Sequence, residues 1–240
     1  GPAVMSGRIA SLDVAATEPA TIFVGAASGG VWRSRNNGTT FQPVFDRHMQ
    51  SIGAVRVDPS EAKTVWVGTG ESRVRNSVSA GDGVYVSRDG GDTWTRSGLA
   101  GTRHIAELLV DPRDGKRVWV CATGHAFADS AERGVYRSDD AGATWQRVLA
   151  VDESTGCADL VMDPTAPDTL YAAMWDFRRE PDFFRSGGPG SGIFKSTDGG
   201  ATWTRLRQGL PDGDLGRVSL AVAASEPSRV YALVEAAQTG

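Results

Sequence analysis

Histidine and cysteine are scarce, three of one and two of the other in 240 residues. His48, His104 and His125 are scattered, and neither cysteine stands at a ligand spacing from them, so no metal and no cofactor is expected. Lysine and arginine form no run, and a net charge of −4 with an isoelectric point near 5.4 argues against nucleic acid as the main partner. No apolar stretch approaches the roughly 18–20 residues of a membrane span. Gly1-Pro2-Ala3-Val4-Met5 carries no leader pattern, which says little about compartment. Cys121 and Cys157 each sit in an apolar, strand-like run. Two buried free thiols are the plain expectation. A disulfide between neighbouring repeats is the alternative, and it would point to an oxidising compartment. What the chain has in plenty is glycine, 30 residues, the balance of many short strands joined by turns.

One octad is written four times. Ser-x-Asp-x-Gly-x-Thr-Trp occurs at 87–94, 138–145 and 196–203, with a weaker copy, Ser34 to Phe41, that has Asn36 in place of Asp. Each copy follows a Gly-opened run: Gly30-Val31-Trp32, Gly83-Val84-Tyr85, Gly134-Val135-Tyr136 and Gly192-Ile193-Phe194. A period of this length means a repeat architecture. The octad has the chemistry of a hairpin. Asp accepts backbone N–H groups further along the turn, Gly takes positive φ, and Thr-Trp opens the return strand. Asn36, Asp89, Asp140 and Asp198 are therefore read as turn-builders, and Trp94, Trp145 and Trp203 as wedges between sheets.

The octad resembles the Asp-box, or bacterial neuraminidase repeat, of β-propellers, a superfamily that includes sialidases, xyloglucanases, photosystem-assembly propellers and sortilin (VPS10)-type receptors. The rest of each repeat is similar to the large bacterial members labelled glycosyl hydrolase or sortilin-like. The resemblance implies an all-β propeller of four-stranded antiparallel blades with Asp-box hairpins between strands C and D. One domain over 1–240 is expected, with blades at about 6–46, 50–98, 103–149 and 156–208 and half a blade at 215–236. A half-blade needs outer strands from elsewhere, so the expectation is a part of a larger propeller, with further blades or a second chain as partner.

Length variation lies between strands B and C, and insertions on one face of a repeat array usually mark a binding face. The B–C loops run from Glu71 to Asp82, from His125 to Arg133 and from Trp175 to Gly192. Arg73, Arg75, Asn76, His125, Trp175, Arg178 and Arg179 are the candidate ligand-binding residues, because exposed aromatics beside arginines suit sugar stacking, carboxylate clamping or peptide docking. The competing reading folds Trp175, Phe177, Phe183 and Phe184 onto their own blade. Glu71, Asp82, Glu132 and Asp182 are the candidate acids, Glu71 first because it follows strand B directly toward the channel. Nothing in the sequence picks a catalytic pair. The enzyme patterns also depart here. The sialidase Arg-Ile-Pro is Arg8-Ile9-Ala10, and the Asp that precedes Gly-Gly in xyloglucanase-type first blades is Ser28.

Three functions stay open. The first is a non-catalytic binding or assembly module for a glycan or peptide, the second a glycoside hydrolase domain, and the third a structural part of an extracellular propeller. The expected compartment is extracellular or periplasmic. Asn37-Gly38-Thr39 is a glycosylation sequon inside the first turn and reads as coincidence.

Overall fold

A computed structural model describes residues 8–236, so the leader reading on residues 1–5 and the first two residues of the expected first blade lie outside it. The described chain contains no α-helix. It forms four antiparallel sheets of four main strands and a final pair. Blade 1 is β1 (Ile9–Val14), β2 (Ile22–Ala26), β3 (Val31–Ser34) and β4 (Gln42–Pro43). Blade 2 is β5 (Ile52–Val57), β6 (Val65–Thr69), β7 (Val84–Ser87) and β8 (Thr95–Gly98). Blade 3 is β9 (Ile105–Asp111), β10 (Asp114–Ala122), β11 (Gly134–Ser138) and β12 (Gln146–Leu149). Blade 4 is β13 (Thr155–Met162), β14 (Leu170–Arg179), β16 (Gly192–Ser196) and β17 (Thr204–Leu206), with β15 (Phe184–Ser186) paired to the end of β14. The last pair is β18 (Leu215–Val222) and β19 (Val230–Ala236). The architecture is a β-propeller array, and its innermost strands β1, β5, β9, β13 and β18 pack side by side in chain order.

The core lies between blades. One apolar cluster joins Phe23 and Val31 to Val55, Val65 and Tyr85. The next joins Trp66 and Val84 to Leu108, Val118 and Tyr136. A third joins Trp119 and Val135 to Leu160, Leu170 and Met174, and a smaller one joins Ala173 and Ile193 to Val218. Each sheet is buried only by its neighbours, as in any stacked repeat.

The Asp boxes serve this stacking. In all four, the Ser hydroxyl donates to the Asp or Asn side chain at 2.7–3.0 Å and accepts the Gly N–H at 2.7–2.9 Å. Asp Oδ1 accepts the Thr N–H at 2.8–2.9 Å in the three full boxes, and Oδ2 accepts the Thr hydroxyl at 2.5–2.6 Å. Those bonds hold the Asp89 and Asp140 carboxyls down to about 2, the Thr hydroxyl being the largest cause, and Asp198 lower still. Because Thr is held in the turn, the return strand starts at Thr95, Gln146 and Thr204, later than the expected Thr-Trp. The box glycine has a second reason to be glycine. A Cβ on Gly142 (φ +82°) would lie 2.7 Å from the Trp66 ring of the preceding blade, and one on Gly200 would lie 3.1 Å from Trp119. The box tryptophans reach back as well, Trp94 Nε1 donating to Val44 O at 2.8 Å and Trp145 Nε1 to Ser97 O at 2.9 Å. Trp203 Nε1 instead donates to Gly200 O of its own box at 3.0 Å.

Two expectations change. Cys121 and Cys157 are not free thiols. They form a disulfide from β10 of blade 3 to β13 of blade 4, with Cα atoms 5.1 Å apart and both residues fully buried. The fourth B–C connection is not an irregular loop. β14 runs on to Arg179 and returns as β15, pairing Phe177 with Ser186 and Arg179 with Phe184. Alternating apolar and charged residues from Trp175 to Arg178 supply the period-2 pattern that continues the strand.

Candidate functional site

Each of the first four innermost strands carries one residue with no partner across the ladder: Ala10, Gly53, Ala106 and Ala158. Such bulges bend a strand where it reaches the axis. All four line a polar cavity of about 210 Å³, together with Glu71, Ser72, Arg73, Glu107, Asp159, Arg217 and Ser219. Glu107 and Asp159 are not among the residues expected from the loops. They interrupt apolar strands at the same register, two residues after Ile105 and Cys157, and that interruption is the signal in the sequence. Burial pushes the Glu107 carboxyl up to about 7 against the pull of Arg56, whose Nη2 lies 2.9 Å from Oε2, and burial raises Asp159 as well. Asp159 ties blade 4 to the last pair, accepting the Leu160 N–H at 2.9 Å and the Leu220 N–H at 2.8 Å.

Glu71 does lie at the channel, but it is a buried, ion-paired group and not a solvated loop acid. It is 1 % exposed, its N–H donates to Ser51 Oγ at 3.0 Å, and its carboxylate pairs with Arg8 and, at 3.3 Å, with Arg75. The other named acids are separately engaged. Asp82 accepts the Tyr85 hydroxyl at 2.7 Å, and Glu132, exposed, accepts that of Tyr136 at 3.3 Å. Asp182 is exposed at the tip of the β14–β15 hairpin.

The three B–C connections meet over the channel. Val74 and Val78 of blade 2, Ala126 and Phe127 of blade 3, and Trp175 and Phe177 of blade 4 share one apolar cluster. Arg179 Nε donates to Asn76 Oδ1 at 2.6 Å, which joins blades 2 and 4, and Arg178 pairs with Asp129 of blade 3 at 2.6 Å. His125 Nδ1 accepts the Phe127 N–H at 3.1 Å, and burial followed by the nearby arginines lowers its pKa.

Trp175 is not the exposed platform expected of it. It is 2 % exposed, stacked on Phe177 with centroids 4.1 Å apart, and it donates to Ser186 Oγ at 3.0 Å. The exposed aromatics are its hairpin neighbours Phe183 and Phe184, at 55 % and 39 %. Two arginines carry more of this architecture than the sequence suggested. Arg133, fully buried, lies 4.2 Å over the Phe177 ring and donates to the carbonyls of Ser154, His125 and Ala128. Only its place at the loop's end, before the Gly134 that opens β11, hints at the role. Arg217, from the last pair, lies 5.1 Å over Trp175 and donates to Ser72 O at 3.1 Å. Arg73, Trp175, Phe184, Ser186, Arg217 and Glu235 line a groove of about 190 Å³ that shares Arg73 and Arg217 with the axial cavity.

Chemically, the site offers planar cations and aromatic edges around a polar well. Among the described residues no three His, Cys, Asp or Glu side chains come together as a metal site, and no helix is long and apolar enough to cross a membrane.

Comparison with known proteins bears on the fold and the family. A xyloglucanase of Hypocrea jecorina is 30 % identical over 218 residues, covering 80 % of this chain and 25 % of the relative. A xyloglucanase of Paenibacillus sp is 27 % identical over 207 residues, covering 74 % and 18 %. The chain thus spans a quarter or less of the length of these relatives. The crystal structure of a GH74 enzyme from Niastella koreensis superposes with a TM-score of 0.66 at 21 % identity over 92 % of this chain and 33 % of that one. An ancestral GH74 enzyme gives a TM-score of 0.69 at 18 % identity, covering 97 % and 30 %. Both likenesses support the propeller fold. The Sortilin-Vps10 family model, described as sortilin, neurotensin receptor 3, matches residues 82–235, well over half of the chain. The chain is a member of the Sortilin-Vps10 family of β-propellers, related in sequence to xyloglucanases.

Proposed function

We propose that this chain is the glycan-holding part of a xyloglucanase-like propeller, and that its B–C loop face binds a branched β-glucan chain without supplying an acid–base pair of its own. The observation that carries this reading is the groove where Arg73, Trp175, Phe184 and Arg217 converge from three sheets, beside the exposed Phe183. Aromatic faces stack on sugar rings, and arginines donate to their hydroxyls. The names of the sequence relatives supply the substrate class. Against catalysis by this chain stand Glu71, neutralised by two arginines, and Asp82 and Glu132, each bound to a tyrosine. A hydrolytic reading has one favourable observation, the proton-retaining Glu107 beside Asp159, since a raised carboxyl is what a general acid needs.

The buried Cys121–Cys157 bond supports an oxidising compartment, outside the cell or in the periplasm, as part of this reading. Isothermal titration with xyloglucan oligosaccharides tests the reading. Binding in wild type, weakened in Phe184→Ala and Arg73→Ala and without release of reducing ends, supports it. Cleavage that disappears in Glu107→Gln would replace it with the hydrolytic one.

A further inference from the structure

The axial cavity is built by a repeated device. The unpaired bulge residue of the innermost strand is Ala, Gly, Ala and Ala in successive blades, so only small residues line the opening from these strands, and at Gly53 the backbones of blades 2 and 3 approach so closely that a Cβ would lie 1.8 Å from Ile105 O. The wall of that opening mixes hydrogen-bond types. Glu71, Glu107 and Asp159 accept, and Arg73 and Arg217 donate. Glu71 Oε2 is buried with no hydrogen-bond partner, holding only the 3.3 Å ion pair with Arg75. A buried acceptor of this kind is costly to leave unmade.

Charge on the wall is nearly balanced, so a bare ion of either sign would meet its own sign inside the cavity. A neutral molecule with donors and acceptors on every side matches the wall better. The volume of about 210 Å³ equals the share of about seven waters at ~30 Å³ each, the displacement expected of a single pyranose with its hydroxyls. Because Arg73 and Arg217 belong to both spaces, a ring in the cavity stays continuous with a chain lying in the groove outside.

We propose that the axial cavity is a saccharide subsite that takes one neutral pyranose ring, end-on, as the terminal or branch residue of a glycan on the loop face. This rests on the glycan-holding reading above. Ring hydroxyls donate to Glu71 Oε2 and to the free lone pairs of Glu107 and Asp159, and accept from Arg73 and Arg217.

The test uses D-xylose, D-glucose and a xyloglucan oligosaccharide as probes, with Ser219→Phe to occlude the cavity and Ser219→Ala as the control that leaves it open. Ser219 is exposed on β18 and is part of none of the apolar core clusters, so the bulky variant leaves the core intact. A monosaccharide is expected to shift the NMR methyl signals of Ala106 and Ala158 in wild type and Ser219→Ala but not in Ser219→Phe. Oligosaccharide affinity is expected to fall at least about tenfold in Ser219→Phe, the effect of losing one or two hydrogen bonds. Should Ser219→Phe fail to fold, the methyl shifts in wild type and Ser219→Ala decide alone.

If the oligosaccharide binds wild type and Ser219→Phe equally and no alanine methyl moves, the axial subsite is overturned while the groove reading stands. If a monosaccharide moves the methyls but the oligosaccharide does not bind, the cavity takes a lone sugar only, and both the end-on subsite and the groove reading fall. If wild type binds none of the probes, both fall.

Discussion

Glu107 sets a pH dependence that can be isolated with one substitution. Its carboxyl titrates at about 7 in the folded chain against an ordinary 4.5, burial outweighing the attraction of Arg56. The folded state therefore holds this proton more tightly than the unfolded state. The group contributes its full stability below pH 4.5, and that contribution is lost as pH rises through 7. At about 1.4 kcal/mol per tenfold change in proton affinity, the loss amounts to about 3 kcal/mol between pH 4.5 and pH 8. The side chain is 19 % exposed, so little of this is screened away.

Glu107→Gln removes the titration but also one acceptor, because the two carboxylate oxygens serve the Leu108 N–H and Arg56 separately. That second cost does not depend on pH. It drops out when wild type and variant are compared across the range. Urea unfolding followed by tryptophan fluorescence at several pH values gives the comparison. Wild type is expected to lose about 3 kcal/mol relative to Glu107→Gln from pH 4.5 to 8. A difference that stays flat, or that moves in wild type's favour, would refute the reasoning and show the cavity to be wetter than its lining implies.

Gly142→Ala should cost about 2–4 kcal/mol, combining a left-handed backbone for an L residue with a methyl driven into Trp66, and thermal melts compare it with a substitution at exposed Gly209, where a Cβ meets nothing within 4 Å. Replacing both cysteines by Ala should lower stability by as much as about 4 kcal/mol, the loop-closure value for a separation of 36 residues, as read by denaturation with and without reductant. Asp89 and Asp140, held near 2 by their turns, contribute stability that is present above about pH 4 and lost as pH falls toward 2. Acid unfolding should therefore shift upward in pH when either is changed to Asn. Phe184→Ala should weaken oligosaccharide binding while leaving the melting temperature within about 1 °C, because the ring is a half-exposed surface group.

The blades were legible because their information is local. Ser, Asp, Gly and Thr of each box make their bonds within eight residues of one another, so the octad alone specifies the turn, and four octads specify a stacked array. The loop face was legible only as a face. Its long B–C connections could be counted, and Asn76, Arg178 and Arg179 do meet side chains of other blades there. Which aromatic is exposed was not legible. Trp175 and Phe184 differ by nine positions on one hairpin, and the hairpin's pairing decides that the first is covered and the second is not.

The sequence by itself determined the fold: an all-β array of repeats whose turns, glycines and apolar strands each answer to neighbours close along the chain. Tertiary structure alone decided everything that depends on two blades meeting. It brought Cys121 to Cys157, drove Trp66 onto Gly142, paired Glu71 with Arg8, and set Glu107, Asp159 and Arg217 around one cavity from three different sheets. Those contacts depend on the angle and spacing between sheets, which arise from the packing of the whole array and are written in no single repeat.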